Sequence, residues 1–272
     1  MKLFDAHCHL QSPEIFQMAG KIMERAAAAG VERMVCCGTS SADWNQVLQL
    51  AEQFPQIIPM VGMHPWFVES RNGSPSHPDN ADRPAVEPHL RKENIEQLGK
   101  LLTENPSVGV GETGLDFQER FTNRAKQEEC FAAHLDLARE LNRPVAVHCV
   151  RAWGRLIEIL REHPAPRILL HAFSGAAELI PELAELNCWF SFCGSVTNPK
   201  AKRVRAAVAA VPKDRLLIET DSPDFPPSGC SPPNEPANLV YVALAVAELR
   251  GVSGDAIAEL SFSNAAKLFH TI

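Results

Sequence analysis

Short apolar runs alternate eight times with longer stretches of helical spacing along the 272 residues, and no other feature limits the fold so strongly. The predicted strands cover residues 2–5, 33–37, 57–62, 107–112, 144–148, 167–171, 188–193 and 215–219. Each is nearly continuous in apolar residues, the pattern of parallel strands covered on both faces. Helical spacing fills the intervals at 14–29, 42–54, 94–104, 122–142, 152–162, 177–186, 201–211 and 236–249, with a last segment at 254–269. In the clearest of these, Phe131, Leu135 and Ala138 share one stripe, and Thr122 or Asn123 stands where a cap is needed.

Eight strands, each followed by a helix, is the number that closes a parallel barrel. The rival is an open doubly wound sheet, which gathers its site at one switch point behind a glycine-rich first turn. No such turn follows the first strand, so the expectation is a (β/α)8 TIM-like barrel over residues 1–272 as one domain. A hydrophobic fraction of 45% is ample for that core. Two loops stand out: 69–88 reads as a long insertion, and 223–236, with six prolines, reads as a stiffened loop over the barrel mouth. The eight cysteines are scattered with no Cys-x-x-Cys pair, which suits buried thiols in a reducing, cytoplasmic setting. No leader or membrane-spanning run is visible, and no obligate protein partner is implied. A net charge of −7 argues against a broad electrostatic grip on duplex nucleic acid.

The polar residues at the predicted strand ends carry the chemistry. His7 and His9 close the first apolar run, and in an extended strand residues i and i+2 share a face, so two imidazoles can grip one ion. His64 follows the third strand, Glu112 ends the fourth, His148 the fifth and His171 the sixth; Asp221 follows the eighth. Singly, each could cap a helix or solvate a loop. A barrel gathers all of them at its carboxyl-terminal mouth. Imidazoles mixed with carboxylates, without a thiolate set, predict a catalytic Zn²⁺, Mn²⁺ or Mg²⁺ site and a metal-dependent hydrolase.

The motifs Asp5-Ala-His-Cys-His, Gly62-Met-His-Pro, Gly111-Glu-Thr-Gly-Leu-Asp, His171-Ala-Phe-Ser-Gly, Glu219-Thr-Asp-Ser-Pro and Asn234-Glu-Pro occur in that order, with Asn264-Ala-Ala-Lys-Leu-Phe near the end. Together they resemble the TatD family of metal-dependent deoxyribonucleases within the amidohydrolase superfamily. The resemblance implies a distorted (β/α)8 barrel holding up to two divalent ions. It places His7, His9, Glu112 and Asp221 around one ion and Glu112, His148 and His171 around the other. Glu112 then bridges, and Asp221 holds and deprotonates the attacking water. The implied substrate is DNA, cleaved from single-stranded or frayed ends.

One position departs from the family. Its members commonly carry an arginine two residues after the fifth-strand histidine, where this chain has Val150, with Arg151 following. Arg151 either reaches a phosphate or is a solvated residue at a helix start. His64 is either a substrate contact or proton relay, or a packing residue against Pro65. Lys200 and Lys202, after the seventh strand, either meet a nucleic-acid backbone or form a basic outer helix face. Where family members often carry a hydroxyl-bearing aromatic, Phe117 has none. Two other functions remain open from the residues alone: a hydrolase of a small ester, amide or phosphate ester on the same metals, and a silent binding barrel.

Overall fold

In a computed structural model, which describes residues 1–68 and 92–269, the alternation becomes eight parallel strands. They are β1 (Leu3–Cys8), β2 (Val31–Cys37), β3 (Ile57–Val61), β4 (Gly109–Asp116), β5 (Pro144–Val150), β6 (Arg167–Leu170), β7 (Cys188–Phe192) and β8 (Leu216–Ile218). They lie side by side in chain order. The helices are α1 (Ala19–Ala28), α2 (Trp44–Gln53), α3 (Lys92–Glu104), α4 (Arg124–Glu140), α5 (Trp153–Glu162), α6 (Ile180–Glu185), α7 (Lys202–Ala210), α8 (Leu239–Arg250) and α9 (Gly254–Phe269).

Two packing layers explain the apolar runs. Outward-facing strand residues such as Met34, Val110, Val147 and Phe190 pack beneath helix residues such as Ile22, Val47, Phe131 and Leu156. Inward-facing residues, including Phe4, Val35, Ile58, Ala146, Leu169 and Leu217, fill the barrel and meet Ala265, Leu268 and Phe269 of α9. Phe4 stacks on Phe269 at 6.0 Å and meets Phe262 edge-on at 5.5 Å. α9 therefore plugs the amino-terminal end of the barrel. Asn264 fixes it there by donating to the carbonyls of Lys213 and Leu216, while the Ser261 hydroxyl accepts the Ile218 N–H.

The barrel is distorted at the β8–β1 seam. Closure there comes from the mouth: the Asp221 N–H donates to His7 O at 3.0 Å and the His9 N–H to Ser222 O at 2.7 Å. Asp5, buried in β1, accepts the Thr220 N–H at 2.8 Å and the Thr220 hydroxyl. The loop after β8 is clamped by Asn234, whose amide donates to the carbonyls of Thr220, Asp224 and Phe225. This gives the Asn-Glu-Pro motif a structural task.

Several boundaries differ from the sequence reading. β1, β4 and β5 run past their predicted ends to Cys8, Asp116 and Val150, so Glu112 lies within its strand. β6, β7 and β8 each stop one residue earlier than predicted, and the first and eighth helices are preceded by 3-10 turns at Phe16–Met18 and Pro236–Asn238. Asn123 does precede α4, but its side chain does not cap the helix. It donates instead to Val68 O and accepts from Gln127 at 3.0 Å. The predicted insertion at 69–88 lies outside the described residues. All eight cysteines are free thiols. Among the described residues, no helix is long and apolar enough to cross a membrane.

Candidate metal centre

Local backbone geometry brings the polar strand ends together. Plain alternation does not orient His7: Phe4 and Ala6 belong to the inner layer while Cys8 belongs to the outer, and the pairing with β2 shifts register between Asp5 and Cys8. Just after β3, a Cβ at Gly62 would lie 2.8 Å from Glu112 O, and one at Gly114 of β4 (φ +136°) would lie 2.0 Å from His148 O. Only glycine permits that approach, which draws Glu112 toward both the β3 loop and His148. The Glu112 N–H donates to Gly38 O at 2.8 Å.

Two donor sets result. His7 Nε2 and His9 Nε2 are 3.1 Å apart. Glu112 Oε2 lies 3.4 and 3.2 Å from them, and Asp221 Oδ1 lies 3.7 and 3.5 Å from them. An ion held tetrahedrally at about 2.0–2.2 Å separates its ligands by roughly 3.3–3.6 Å. The donors therefore stand at coordination spacing. The other carboxylate oxygen, Glu112 Oε1, faces a second set: His171 Nε2 at 2.8 Å, His148 Nδ1 at 3.1 Å and His64 Nε2 at 3.1 Å. His148 Nδ1 and His171 Nε2 are 3.3 Å apart. Groups of this composition suit a divalent ion.

The partners of the outward nitrogens decide which atoms can ligate. His9 Nδ1 lies 2.7 Å from Cys37 O, so in the neutral ring Nδ1 carries the proton and Nε2 is the nitrogen left to ligate. His7 Nδ1 rests 3.3 Å from the Cys37 thiol. His64 is the opposite case. Its Nδ1 accepts the Trp66 N–H at 3.1 Å, so a neutral ring is protonated at Nε2 and donates to Glu112 Oε1. Of the two readings left open for His64, packing alone fails: it is buried and touches the carboxylate at the centre of the site. His171 Nδ1 is buried without a hydrogen-bond partner among the described residues, and His148 Nε2 has only the Asp116 carboxylate at 3.5 Å beside it.

Charges at the centre shift one another. Burial alone would raise the Glu112 carboxyl, but His171, His64 and His148 hold it well below its usual range. Burial opposes ionisation of Asp221 too, yet His9, His171 and His7 bring it down to about 2. Both are carboxylates at neutral pH, as ligation requires. Burial lowers His64 to about 4, keeping that ring neutral. The His7 and His171 rings stack at 4.0 Å, an arrangement that disfavours two cations.

Sequence reasoning did not assign four supporting residues. Glu219 accepts the Ala172 N–H at 2.6 Å and the Ser191 hydroxyl, and so holds the loop that carries His171. Asp116 accepts from Trp66 Nε1 at 2.7 Å and from Gln118, and its Oδ2 lies 3.5 Å from His148 Nε2. Trp66 and Cys37 complete the group. Glu219 and Asp116 stand inside the family motifs; Cys37 and Trp66 carried no comparable signal.

The remaining predicted site residues stay outside the cluster. Arg151 is exposed at the end of β5 with φ +54°, and Lys200 and Lys202 are exposed at the start of α7. None makes a side-chain hydrogen bond or ion pair among the described residues. This favours the solvated reading for Arg151 and the outer-face reading for the lysines.

Comparison with known proteins agrees with the geometry. The family model described as TatD related DNase matches residues 4–270. The metal-dependent hydrolase YabD of Bacillus subtilis is 32% identical over 98% of both chains. The 3'-5' ssDNA/RNA exonuclease TatD of Klebsiella pneumoniae is 31% identical over 92% of this chain and 90% of its own. The crystal structure of YjjV, a TatD homologue from Escherichia coli, superposes with a TM-score of 0.85 at 29% identity, covering 98% of each chain. The chain belongs to the TatD family of metal-dependent hydrolases.

Proposed function

We propose that this protein hydrolyses phosphodiester bonds in DNA, removing nucleotides from single-stranded or frayed ends, with up to two Mg²⁺, Mn²⁺ or Zn²⁺ ions at its mouth. One observation carries the reading: the two oxygens of Glu112 face different imidazole sets, as a carboxylate bridging an ion pair must. When bound, such ions supply positive charge to a phosphate oxygen and acidify a water molecule. In this assignment His7, His9, Glu112 and Asp221 hold one ion, and Glu112, His148 and His171 the other.

Asp221 is the base. Its backbone is pinned by the N–H bond to His7 O, at φ +55°, so its carboxylate stays at the seam between the sets. Oδ1 faces His7 and His9 while Oδ2 lies 3.9 Å from His171 Nδ1, leaving one oxygen to take a proton from the attacking water. His64, protonated at Nε2, stands beside the same centre as a donor to Glu112 or to a phosphate oxygen. The nuclease activity in the name of the Klebsiella relative supports the choice of substrate. A single strand also reaches a recessed centre without the cost of unstacking a duplex.

The test is nucleotide release from end-labelled single-stranded DNA by the chelated protein reloaded with each ion in turn, beside a panel of small esters and amides. Release restored by one of the three ions is expected. Ester or amide turnover with no nucleotide release would overturn the reading.

A further inference from the structure

The phosphate chemistry proposed above needs a cation at the rim, and the candidates expected from sequence make no contact with the centre. Another arginine does. Trp66, on the turn after β3, meets the His64 ring edge-on at 4.7 Å and the His148 ring at 6.2 Å, and its indole N–H is fixed on Asp116. Phe121, on the loop after β4, lies nearly parallel to the indole at 6.3 Å and 21°. Over both rings stands Arg120, with its guanidinium carbon 5.4 Å from the Trp66 centroid and 4.9 Å from that of Phe121.

Two ring contacts therefore connect an exposed guanidinium to the metal-donor set. Among the described residues Arg120 has no carboxylate within ion-pair distance. The aromatic pair limits how its plane can swing, and a pre-oriented fork loses less entropy on gripping an anion. The local charge also matters. Glu112, Asp221, Glu219 and Asp116 crowd the mouth of a chain whose net charge is −7, whereas each added nucleotide brings one negative charge.

We propose that Arg120, held against Trp66 and Phe121, binds a phosphate of the strand beside the one being cleaved; this rests on the nuclease reading. The phosphate is one of the strand itself, so recognition is by charge and geometry and is indifferent to base.

Arg120→Ala, Arg120→Lys and wild type are compared in two assays: equilibrium binding of a fluorescent single-stranded decamer to the metal-free protein, and KM and kcat for nucleotide release by the metal-loaded protein. A charge-assisted contact to phosphate contributes about 1.5–3 kcal/mol, so Arg120→Ala is expected to weaken binding and raise KM by roughly 10- to 100-fold. The dependence of log Kd on log salt should become shallower by about 0.7, and Arg120→Lys should recover only part of the loss. An unchanged Kd, KM and salt slope overturns the proposal and leaves Arg120 as a packing residue. A fall in thermal stability or kcat alone, with binding intact, overturns it as well. If wild type binds the decamer through Arg120 but releases no nucleotide, the nuclease reading fails and the phosphate contact stands.

Discussion

The two donor sets share Glu112 but are built differently. Around Oε2 stand two imidazoles and a second carboxylate, with every measured separation between 3.1 and 3.7 Å. Around Oε1 stand three imidazoles, of which His64 turns a protonated nitrogen inward and so cannot ligate while neutral. The first set offers four donors and two negative charges to one cation, the second three donors and one shared charge. A chelated protein titrated with Mn²⁺ should therefore show a tighter first binding step and a weaker second one. The second set adjoins Trp66, whose indole meets the His148 ring at 6.2 Å.

Glu112→Gln strikes both sets at once and should have the largest effect. A neutral amide supplies neither the shared charge nor two equivalent oxygens, so both binding steps weaken and the rate falls by on the order of a thousandfold or more. Metal content by elemental analysis checks it; two retained ions with near-normal turnover would remove Glu112 from the bridge.

Asp221→Asn separates ligation from proton transfer. The amide oxygen can still coordinate, so metal should be retained at lower affinity in the first step only. Without a carboxylate to take the proton, kcat should drop by about a hundredfold or more. Single-turnover kinetics at saturating metal distinguish the two effects, and a rate near wild type would take the base role from Asp221.

The outer partners test the comparison more finely. Cys37 touches only the first set, through His7 Nδ1 and, by its carbonyl, His9 Nδ1; Asp116 touches only the second, through His148 Nε2. Removing an outer partner typically costs ~10- to 100-fold in metal affinity. A thiol is a weak partner, so Cys37→Ala should sit near the low end and shift the first step alone, while Asp116→Asn shifts the second. Either variant shifting both steps equally would show that the sets do not bind independently.

How much of this was legible depends on what each residue's signal is. The barrel was readable because burial on both faces leaves continuous apolar runs, and the residues that converge at the mouth were readable because they end those runs inside recognisable motifs. The register slip that turns His7 inward was not, since backbone pairing leaves no mark on residue type. Trp66 and Phe121 look like ordinary apolar residues until the β3 and β4 loops meet. Basic composition and position leave Lys200 and Lys202 open between a site role and an outer face, and exposure at the start of α7 shows why that signal is weak. Arg120 carries the same kind of charge and gains its significance only from the rings beneath it.

The smallest expected effect concerns the support beneath the second set. His134 of α4 is fully buried; its Nε2 accepts the Met63 N–H at 3.1 Å and its Nδ1–H donates to Cys130 O at 2.7 Å. It thereby fixes the residue preceding His64. Burial lowers its pKa from the usual 6.5 to about 4, so the folded protein keeps the ring neutral where the unfolded chain would protonate it. Between those values the unfolded state binds more protons, and stability must rise with pH. The contribution is complete above about 6.5 and is lost as pH falls toward 4. Over pH 7 to 5 this single group should remove about 2 kcal/mol. His134→Gln keeps one donor and one acceptor without titrating, so in metal-free urea unfolding its loss over that interval should be smaller than wild type's by about that amount. His64 shifts in the same direction in both proteins and cancels from the difference. Equal losses in the two proteins would mean that His134 is protonated in the fold, and the Met63 N–H would then have no acceptor in that ring.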